Sequence, residues 1–307
     1  MKYRLRARVE RRADIAPRHV KLALTAPDIA AVAEPGQFVS VFIEEPEVRT
    51  KPRLDARDLW DHAEPSEVRP CILPRPFGLH RVAGAVLEIA FKVTGKGTRK
   101  LAQLEPGSEV EVLGPLGSSF RADPGRPCAV LVAGGTGLFP LFFLAERLRG
   151  SGKAVHVLAG ALETVPMESS DSRIALSFLD PNVTVVINEF DRIGCVSRVA
   201  SESGAPGTHR GLVTELLARF LDAPQVVCGD SVQVFACGPW AMLRVVAEMC
   251  TRRTIPCQVL LEQRMACGIG ACMSCVVPTR ETGYKHYKRV CCEGPVFEAE
   301  EIDWDGT

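Results

Sequence analysis

The chain has 307 residues, 46% hydrophobic and 24% charged, and its 37 basic and 37 acidic side chains give a formal net charge of +0. That length exceeds one ordinary hydrophobic core and predicts at least two domains, while the apolar content excludes a disordered chain. Balanced charge excludes a global basic field for nucleic acid or an anionic membrane, so any partner is recognised locally.

The first ten residues, MKYRLRARVE, alternate charged with apolar residues as a strand does and lack the apolar core of a secretory signal. The longest apolar stretch, at 129–145, falls short of the ~20 residues of a membrane span. Twelve cysteines without an export signal point to a reducing compartment, the cytoplasm, where clustered thiols serve as metal ligands rather than disulfides.

Five β-rich runs, RLRARVE, HVKLAL, QFVSVFI, LEIAFKV and SEVEVLG, are separated by Pro, Gly and Asp. They predict an antiparallel β-barrel over residues 1–125. The proline-rich, charged stretch 44–70 breaks this pattern and reads as a solvated loop insertion, with a short helix around 54–62 that carries Trp60. Within the barrel, Arg75, Pro76, Phe77 and Gly78 precede Phe91 and Lys92, then Gly95, Lys96, Gly97 and Thr98. An arginine, open backbone N–H groups and a threonine hydroxyl suit a pyrophosphate, although a ligand-free strand-to-helix turn has a similar composition.

The texture changes at the turn RADPGRP, residues 121–127. Strand CAVLVA, a glycine turn, a helix at 139–149, strands AVHVLA, VTVVI and SVQVFAC, and helices near 211–221 and 239–253 predict a Rossmann-like parallel α/β unit over 126–257. Gly134, Gly135, Thr136 and Gly137 sit at the carboxyl end of a strand and before a helix, where nucleotides bind, without forming the G-x-G-x-x-G fingerprint. A tight turn with no ligand uses similar glycines. A second turn, Cys237, Gly238 and Pro239, follows another strand, so two strand ends can face one ligand.

After CQVLL at 257–261 neither texture continues, and residues 258–307 predict a small third module. Cys267, Cys272 and Cys275, followed by Cys291 or Cys292, give C-x4-C-x2-C and a distant fourth thiol, the spacing of a plant-type 2Fe-2S site. Gly268 and Gly270 let the backbone approach inorganic sulfur. A structural zinc prefers two separated C-x2-C pairs and fits less well. Cys71, Cys128, Cys195, Cys228, Cys237, Cys250 and Cys257 lie mostly in apolar runs and read as small buried hydrophobes.

In chain order the motifs RPFG, GKGT, GGTG, CGPWAML, CGIGACMSC and YKRVCCEGPVF resemble the ferredoxin reductase superfamily. Within it the chain is similar to the electron-transfer subunits of dihydroorotate dehydrogenase B over residues 3–303, most specifically in LEQRMACGIGACMSC at 261–275 and YKRVCCEGPVF at 287–297. The resemblance implies that Arg75, Pro76, Phe77, Gly78, Ala90, Phe91, Lys92, Gly97 and Thr98 hold FAD, with Arg75 neutralising its pyrophosphate and Thr98 capping it. It implies a NAD site lined by Gly134, Gly135, Thr136, Gly137, Cys237, Gly238 and Pro239, with Glu202 nearby, and a 2Fe-2S cluster on Cys267, Cys272, Cys275 and Cys291, with Cys292 as a neighbour. Gly78 stands where such subunits usually carry serine, and the 44–70 insertion is longer than their pattern.

The implied activity is electron transfer from the FMN of a dihydroorotate dehydrogenase catalytic subunit, through the cluster and FAD, to NAD in pyrimidine biosynthesis. A heterotetramer with two subunits of each kind is implied, and the chain alone is not expected to oxidise dihydroorotate. Met265, Ile269 and Met273 either meet that partner or pack beneath the cluster. Three other readings compete: an equivalent subunit of a hydrogenase, sulfide dehydrogenase or bifurcating transhydrogenase; a zinc-binding interaction module; and a self-sufficient reductase for a soluble acceptor.

Overall fold

The computed structural model describes residues 2–43, 73–223 and 231–306. The expected insertion at 44–70, with its helix and Trp60, and both Cys71 and Cys228 lie outside them. Strands β1 (Tyr3–Ala16) and β2 (His19–Thr25), helix α1 (Pro27–Ala30), strands β3 (Phe38–Phe42), β4 (Arg75–Ala83) and β5 (Val86–Lys92), helix α2 (Lys96–Ala102) and strand β6 (Glu109–Leu116) form the first unit. Its strands close into an antiparallel barrel in the order β1-β2-β5-β4-β3-β6. Alternation places Ala7, Val9, Leu22, Leu24, Val39, Val41 and Ile89 in the barrel core, while Arg4 and Arg6 face solvent. Strand β4 is the one not expected from sequence, because Pro76 and Gly78 depress its strand propensity. Ladder partners on both sides, β3 and β5, hold it in place.

The second unit runs β7 (Cys128–Gly134), α3 (Leu138–Gly150), β8 (Ala154–Ala161), β9 (Ser169–Asp171), β10 (Val185–Ile187), α4 (Asn188–Arg192), β11 (Val196–Ser201), β12 (His209–Arg210), α5 (Val213–Leu221), β13 (Val232–Cys237), α6 (Trp240–Arg252) and β14 (Cys257–Leu260). Beyond it come β15 (Val276–Pro278), β16 (Tyr287–Arg289) and β17 (Val296–Glu298). The main sheet has the order β12-β11-β8-β7-β13-β14-β17, parallel except for β17. The expected strand VTVVI is a correction: its 185–187 portion pairs with β9 outside this sheet, and the strand beside β8 is β11, VSRVAS. Arg198 disguises β11 in the sequence. It is 2% exposed, and its guanidinium donates to the carbonyls of Val183 (3.1 Å), Ser197 (2.6 Å) and Ile174, so the buried charge is satisfied by backbone oxygens.

An expected boundary at 257/258 falls inside β14, whose pairing with β13 continues through Leu260. The cysteine-rich segment then returns to the same sheet through β17. Ser118, just past the barrel, receives the Val296 N–H on its hydroxyl (3.1 Å) and donates that hydroxyl to the Val296 carbonyl (2.9 Å), tying all three segments together.

Helix α3 joins the two units. Nine of its residues are buried, because it packs on β7, β8 and β13 of the sheet on one side and on β4 and β5 of the barrel on the other. Phe143 belongs to the barrel core, whereas Phe139 and Phe142 belong to the sheet core. A polar joint lies beside it. His80 of β4 is 1% exposed and stacks on Phe142, with Nδ1 3.1 Å from the Phe139 carbonyl and Nε2 3.0 Å from Glu189 of α4. Lys21 of β2 donates to the other Glu189 oxygen at 2.7 Å.

Burial opposes the Glu189 charge, but hydrogen bonds from His80 and Lys21 outweigh it and hold the carboxyl down to about 2 from its ordinary 4.5. A depressed carboxyl contributes stability above its unfolded-state pKa that is lost as pH falls through the folded value. Acid titration of unfolding should show a loss of at most about 3 kcal/mol between roughly pH 5 and pH 2 from this group. Glu189→Gln should be destabilised already at neutral pH and lose that part of the acid limb; an acid limb identical to the parent's would contradict the assignment.

Candidate cofactor clefts and cluster loop

The glycines of the second unit serve first to let two turns touch. Strands β7 and β13 are parallel neighbours with Ala133 opposite Cys237, so the turns that follow them meet. A Cβ on Gly137 would lie 2.2 Å from the Cys237 carbonyl oxygen, and one on Gly238 would lie 2.9 Å from the Gly134 nitrogen. Both contacts are with backbone, which no side-chain rotation relieves. Cys237 is fully buried beneath this joint, and burial holds its thiol well above the ordinary value.

Three clefts surround the joint. The first encloses about 280 Å³ between the barrel and the sheet, where Pro76, Phe77, Gly78, Ala90, Phe91 and Lys92 face Thr136, Phe139 and Pro140. Its floor is the chain leaving β14, Leu260, Leu261, Glu262, Gln263 and Met265. The second, about 720 Å³, is lined by Gly134, Gly135, Thr136, Gly137, Gly238 and Pro239, together with Lys92 and Glu262. The third, about 460 Å³, continues from Gly134, Gly135 and Pro239 to Gly160, Glu202 and Gly211. Lys92, Thr136 and Glu262 therefore belong to the first and second clefts together.

Arg75, Gly97 and Thr98 form a separate group at the barrel end. The Arg75 guanidinium lies across the backbone of buried Gly97 and donates to the Leu73 carbonyl at 2.8 Å. The Thr98 hydroxyl donates to the Gly95 carbonyl (3.1 Å) and accepts from the N–H groups of Thr94 (2.9 Å) and Gly95 (3.1 Å), so it holds the start of α2. Position 78 has limited room, since a Cβ there would come 3.3 Å from the Cβ of Pro140. Gly78→Ser should shift α3 by a few tenths of an ångström and cost about 1 kcal/mol, read as a lowered melting temperature. An unchanged melting temperature would contradict that packing.

Glu262 is the residue that sequence reasoning did not single out. It follows β14, at the carboxyl end of a parallel strand, which is the signal that could have found it. Its side chain is open to the cleft but walled in by protein elsewhere, and that burial raises its carboxyl above the ordinary value.

The cysteines divide into pairs. Cys267, half-buried, neighbours exposed Cys272, and Cys275 and Cys291, both buried, neighbour each other. The Ser274 hydroxyl, 3.2 Å from the Cys272 sulfur, is the leading cause that lowers this thiol to about 6, followed by contacts with Cys267. Burial first, and Cys275 second, push the Cys291 thiol up. Left-handed backbone at Gly268 (φ 68), Gly270 (φ 88) and Met273 (φ 58) curls the loop that carries the first three thiols. Arg289 anchors that loop by donating to the Gly270 carbonyl at 2.6 Å and gripping Glu293. Among the described residues the thiols stand as two pairs rather than as one closed cage. Two thiols per pair, on a loop curled by left-handed backbone, suit a two-iron cluster in which each iron takes two protein ligands. Of the remaining described cysteines, Cys195, Cys237, Cys250 and Cys257 are buried, and Cys128 and Cys292 are half-buried.

A closed antiparallel barrel, a parallel sheet with paired turns at its strand ends and an appended thiol loop define a ferredoxin-reductase-like fold. The solved NADH-dependent reduced ferredoxin-NADP oxidoreductase shares this fold at a TM-score of 0.69 and 22% identity, over 97% of this chain and 90% of that one. The ferredoxin reductase in carbazole 1,9a-dioxygenase is similar at a TM-score of 0.57 and 18% identity, over 83% of this chain and 67% of that one.

Sequence narrows the class. Residues 262–303 match the iron-sulfur cluster binding domain of dihydroorotate dehydrogenase B. The dihydroorotate dehydrogenase B (NAD(+)) electron transfer subunit of Desulforamulus reducens is 34% identical over 95% of both chains, and that of Bacillus caldolyticus is 35% identical over 94% of both. The chain belongs to the family of dihydroorotate dehydrogenase B electron-transfer subunits.

Proposed function

We propose that this chain carries electrons from a dihydroorotate-oxidising catalytic subunit to NAD, in the cytoplasm, as the redox step of pyrimidine biosynthesis. The observation that carries the reading is continuity: the cysteine loop begins two residues after Met265 of the first cleft, and that cleft shares Lys92, Thr136 and Glu262 with the second. FAD in the first cleft would accept or release a two-electron hydride and the 2Fe-2S cluster would relay single electrons, so the pair converts one kind of transfer into the other.

The flavin would be held by Pro76, Phe77, Gly78, Ala90, Phe91 and Lys92 in the cleft, and by Arg75, Gly97 and Thr98 at the barrel end. The apolar walls of Phe77 and Phe91 would shield one side of a flat ring from water. Gly134, Gly135, Thr136, Gly137, Gly238 and Pro239, above buried Cys237, would receive the nicotinamide cofactor where two strand ends open. The ligands Cys267, Cys272, Cys275 and Cys291 would divide into the two observed pairs, one for each iron. These assignments divide the chain into a flavin unit at 1–125, a nucleotide unit from 126 that includes β14, and a cluster module beyond it.

The family makes this chain one subunit that works with a catalytic partner. We read that partner as FMN-containing and the assembly as two subunits of each kind. Among the described residues no helix is long and apolar enough to cross a membrane.

Anaerobic titration of the isolated chain separates the roles. NADH is expected to bleach the flavin band and produce the resonance of a reduced 2Fe-2S cluster, whereas dihydroorotate is expected to change neither. Reduction by dihydroorotate without the partner, or a flavin that stays oxidised under excess NADH, would overturn the reading.

A further inference from the structure

The loop and the turn beyond it carry five thiols, where a 2Fe-2S site needs four. Cys291 and Cys292 lie on one turn, and although adjacent residues usually point apart, their sulfurs here are 3.9 Å from each other. Two thiolates on a single tetrahedral ion with ~2.3 Å metal–sulfur bonds would stand ~3.8 Å apart, so the two sulfurs have the spacing that ligands of one ion would have. Cys292 also faces the cluster loop: a Cβ on Gly270, between Cys267 and Cys272, would come 2.4 Å from the Cys292 sulfur. The turn is fixed on the loop, because the N–H groups of Cys292 and Glu293 both donate to the Arg289 carbonyl (3.2 and 2.9 Å) while the Arg289 side chain holds Gly270.

We propose that Cys292 is an alternate ligand of the iron assigned to Cys275 and Cys291, which replaces Cys291 by side-chain rotation without moving the backbone. The inference rests on reading the loop as a 2Fe-2S site. In the exchange the iron–sulfur bond to Cys291 breaks, the bond to Cys292 forms, and the Cys292 proton passes to the departing Cys291 thiolate. No electron is gained or lost, so no oxidant or reductant is needed. The half-buried Cys292 then holds the cluster while Cys291 is protonated, which makes the site tolerant of losing its buried fourth ligand.

The test uses the full chain co-expressed with its catalytic subunit and reads iron and acid-labile sulfide per FAD, with the resonance of the dithionite-reduced cluster. Cys292→Ala should match the parent. Cys291→Ser, which preserves the shape of the buried site, should keep more than about half of the iron, whereas Cys291→Ser with Cys292→Ala should drop at least about fivefold, to the level of Cys275→Ala. Retained FAD certifies folding in each case. Equal iron in Cys291→Ser with and without Cys292 would overturn the proposal, whether both keep the cluster through the serine oxygen or both lose it. A parent protein that carries no iron and sulfide would instead overturn the 2Fe-2S reading itself.

Discussion

Gly137→Ala is expected to slow reduction of the flavin by NADH about a hundredfold while the barrel stays folded. The added Cβ would sit 2.2 Å from the Cys237 carbonyl oxygen, well inside contact distance, and both partners are backbone at the ends of paired strands. Relief requires the two turns to separate by an ångström or so, which changes the cleft that both of them line. Misplacement by ~1 Å is enough to cost about two orders of magnitude when two reacting groups must be held in register. Gly135→Ala supplies the comparison. Its Cβ meets nothing within 4 Å, and the substitution carries only the strain of left-handed backbone at φ 54, about 1 kcal/mol. Stopped-flow reduction by NADH, with FAD content as the control for folding, should therefore rank the parent first, Gly135→Ala second and Gly137→Ala far behind. A Gly137→Ala rate within twofold of the parent's would show that the turn joint is not what shapes the cleft.

The second large effect is expected at the cysteine loop. Gly270→Ala places a side chain on backbone at φ 88 and sets its Cβ 2.4 Å from the Cys292 sulfur. The strain alone amounts to about 1–2 kcal/mol, roughly five- to thirtyfold in the equilibrium for folding the loop around its metal. Loss of the Arg289 grip on the Gly270 carbonyl adds to it. Reconstitution at limiting iron should give about tenfold less cluster per FAD than the parent. Equal occupancy would mean that the loop takes up its curled form only after the metal has bound.

Both glycines mark what the sequence reveals and what it conceals. The spacing of Cys267, Cys272 and Cys275 is legible because a small loop must deliver its thiols locally, and the turn at Gly134 is legible because it lies between an apolar strand and an apolar helix. The contact of Gly137 with Cys237 is not, since it joins positions one hundred residues apart in the chain. The same distinction runs through the fold. The barrel strands with clean alternation could be read directly, but β4 opens with Arg-Pro and takes its conformation from β3 and β5. Strand β11 buries an arginine whose partners are carbonyls from 174, 183 and 197, and no periodicity rule anticipates that a charge will be satisfied by backbone. VTVVI carries a strong strand signal, yet propensity does not specify which sheet a strand joins, and it pairs with SSD at β9. Glu262 escaped notice because one carboxylate after a strand has no pattern until the barrel closes one cleft around it and the sheet another.

Electrons are expected to flow through this chain from dihydroorotate to NAD. The direct measurement is an anaerobic experiment on the chain in complex with its catalytic subunit, with dihydroorotate added first and NAD second, followed by visible absorbance and electron paramagnetic resonance. Dihydroorotate is expected to bleach the flavin and bring up the reduced 2Fe-2S resonance, and NAD is then expected to reverse both with formation of NADH. A cluster and flavin that respond to NADH but stay oxidised when the complex receives dihydroorotate would contradict this direction of flow.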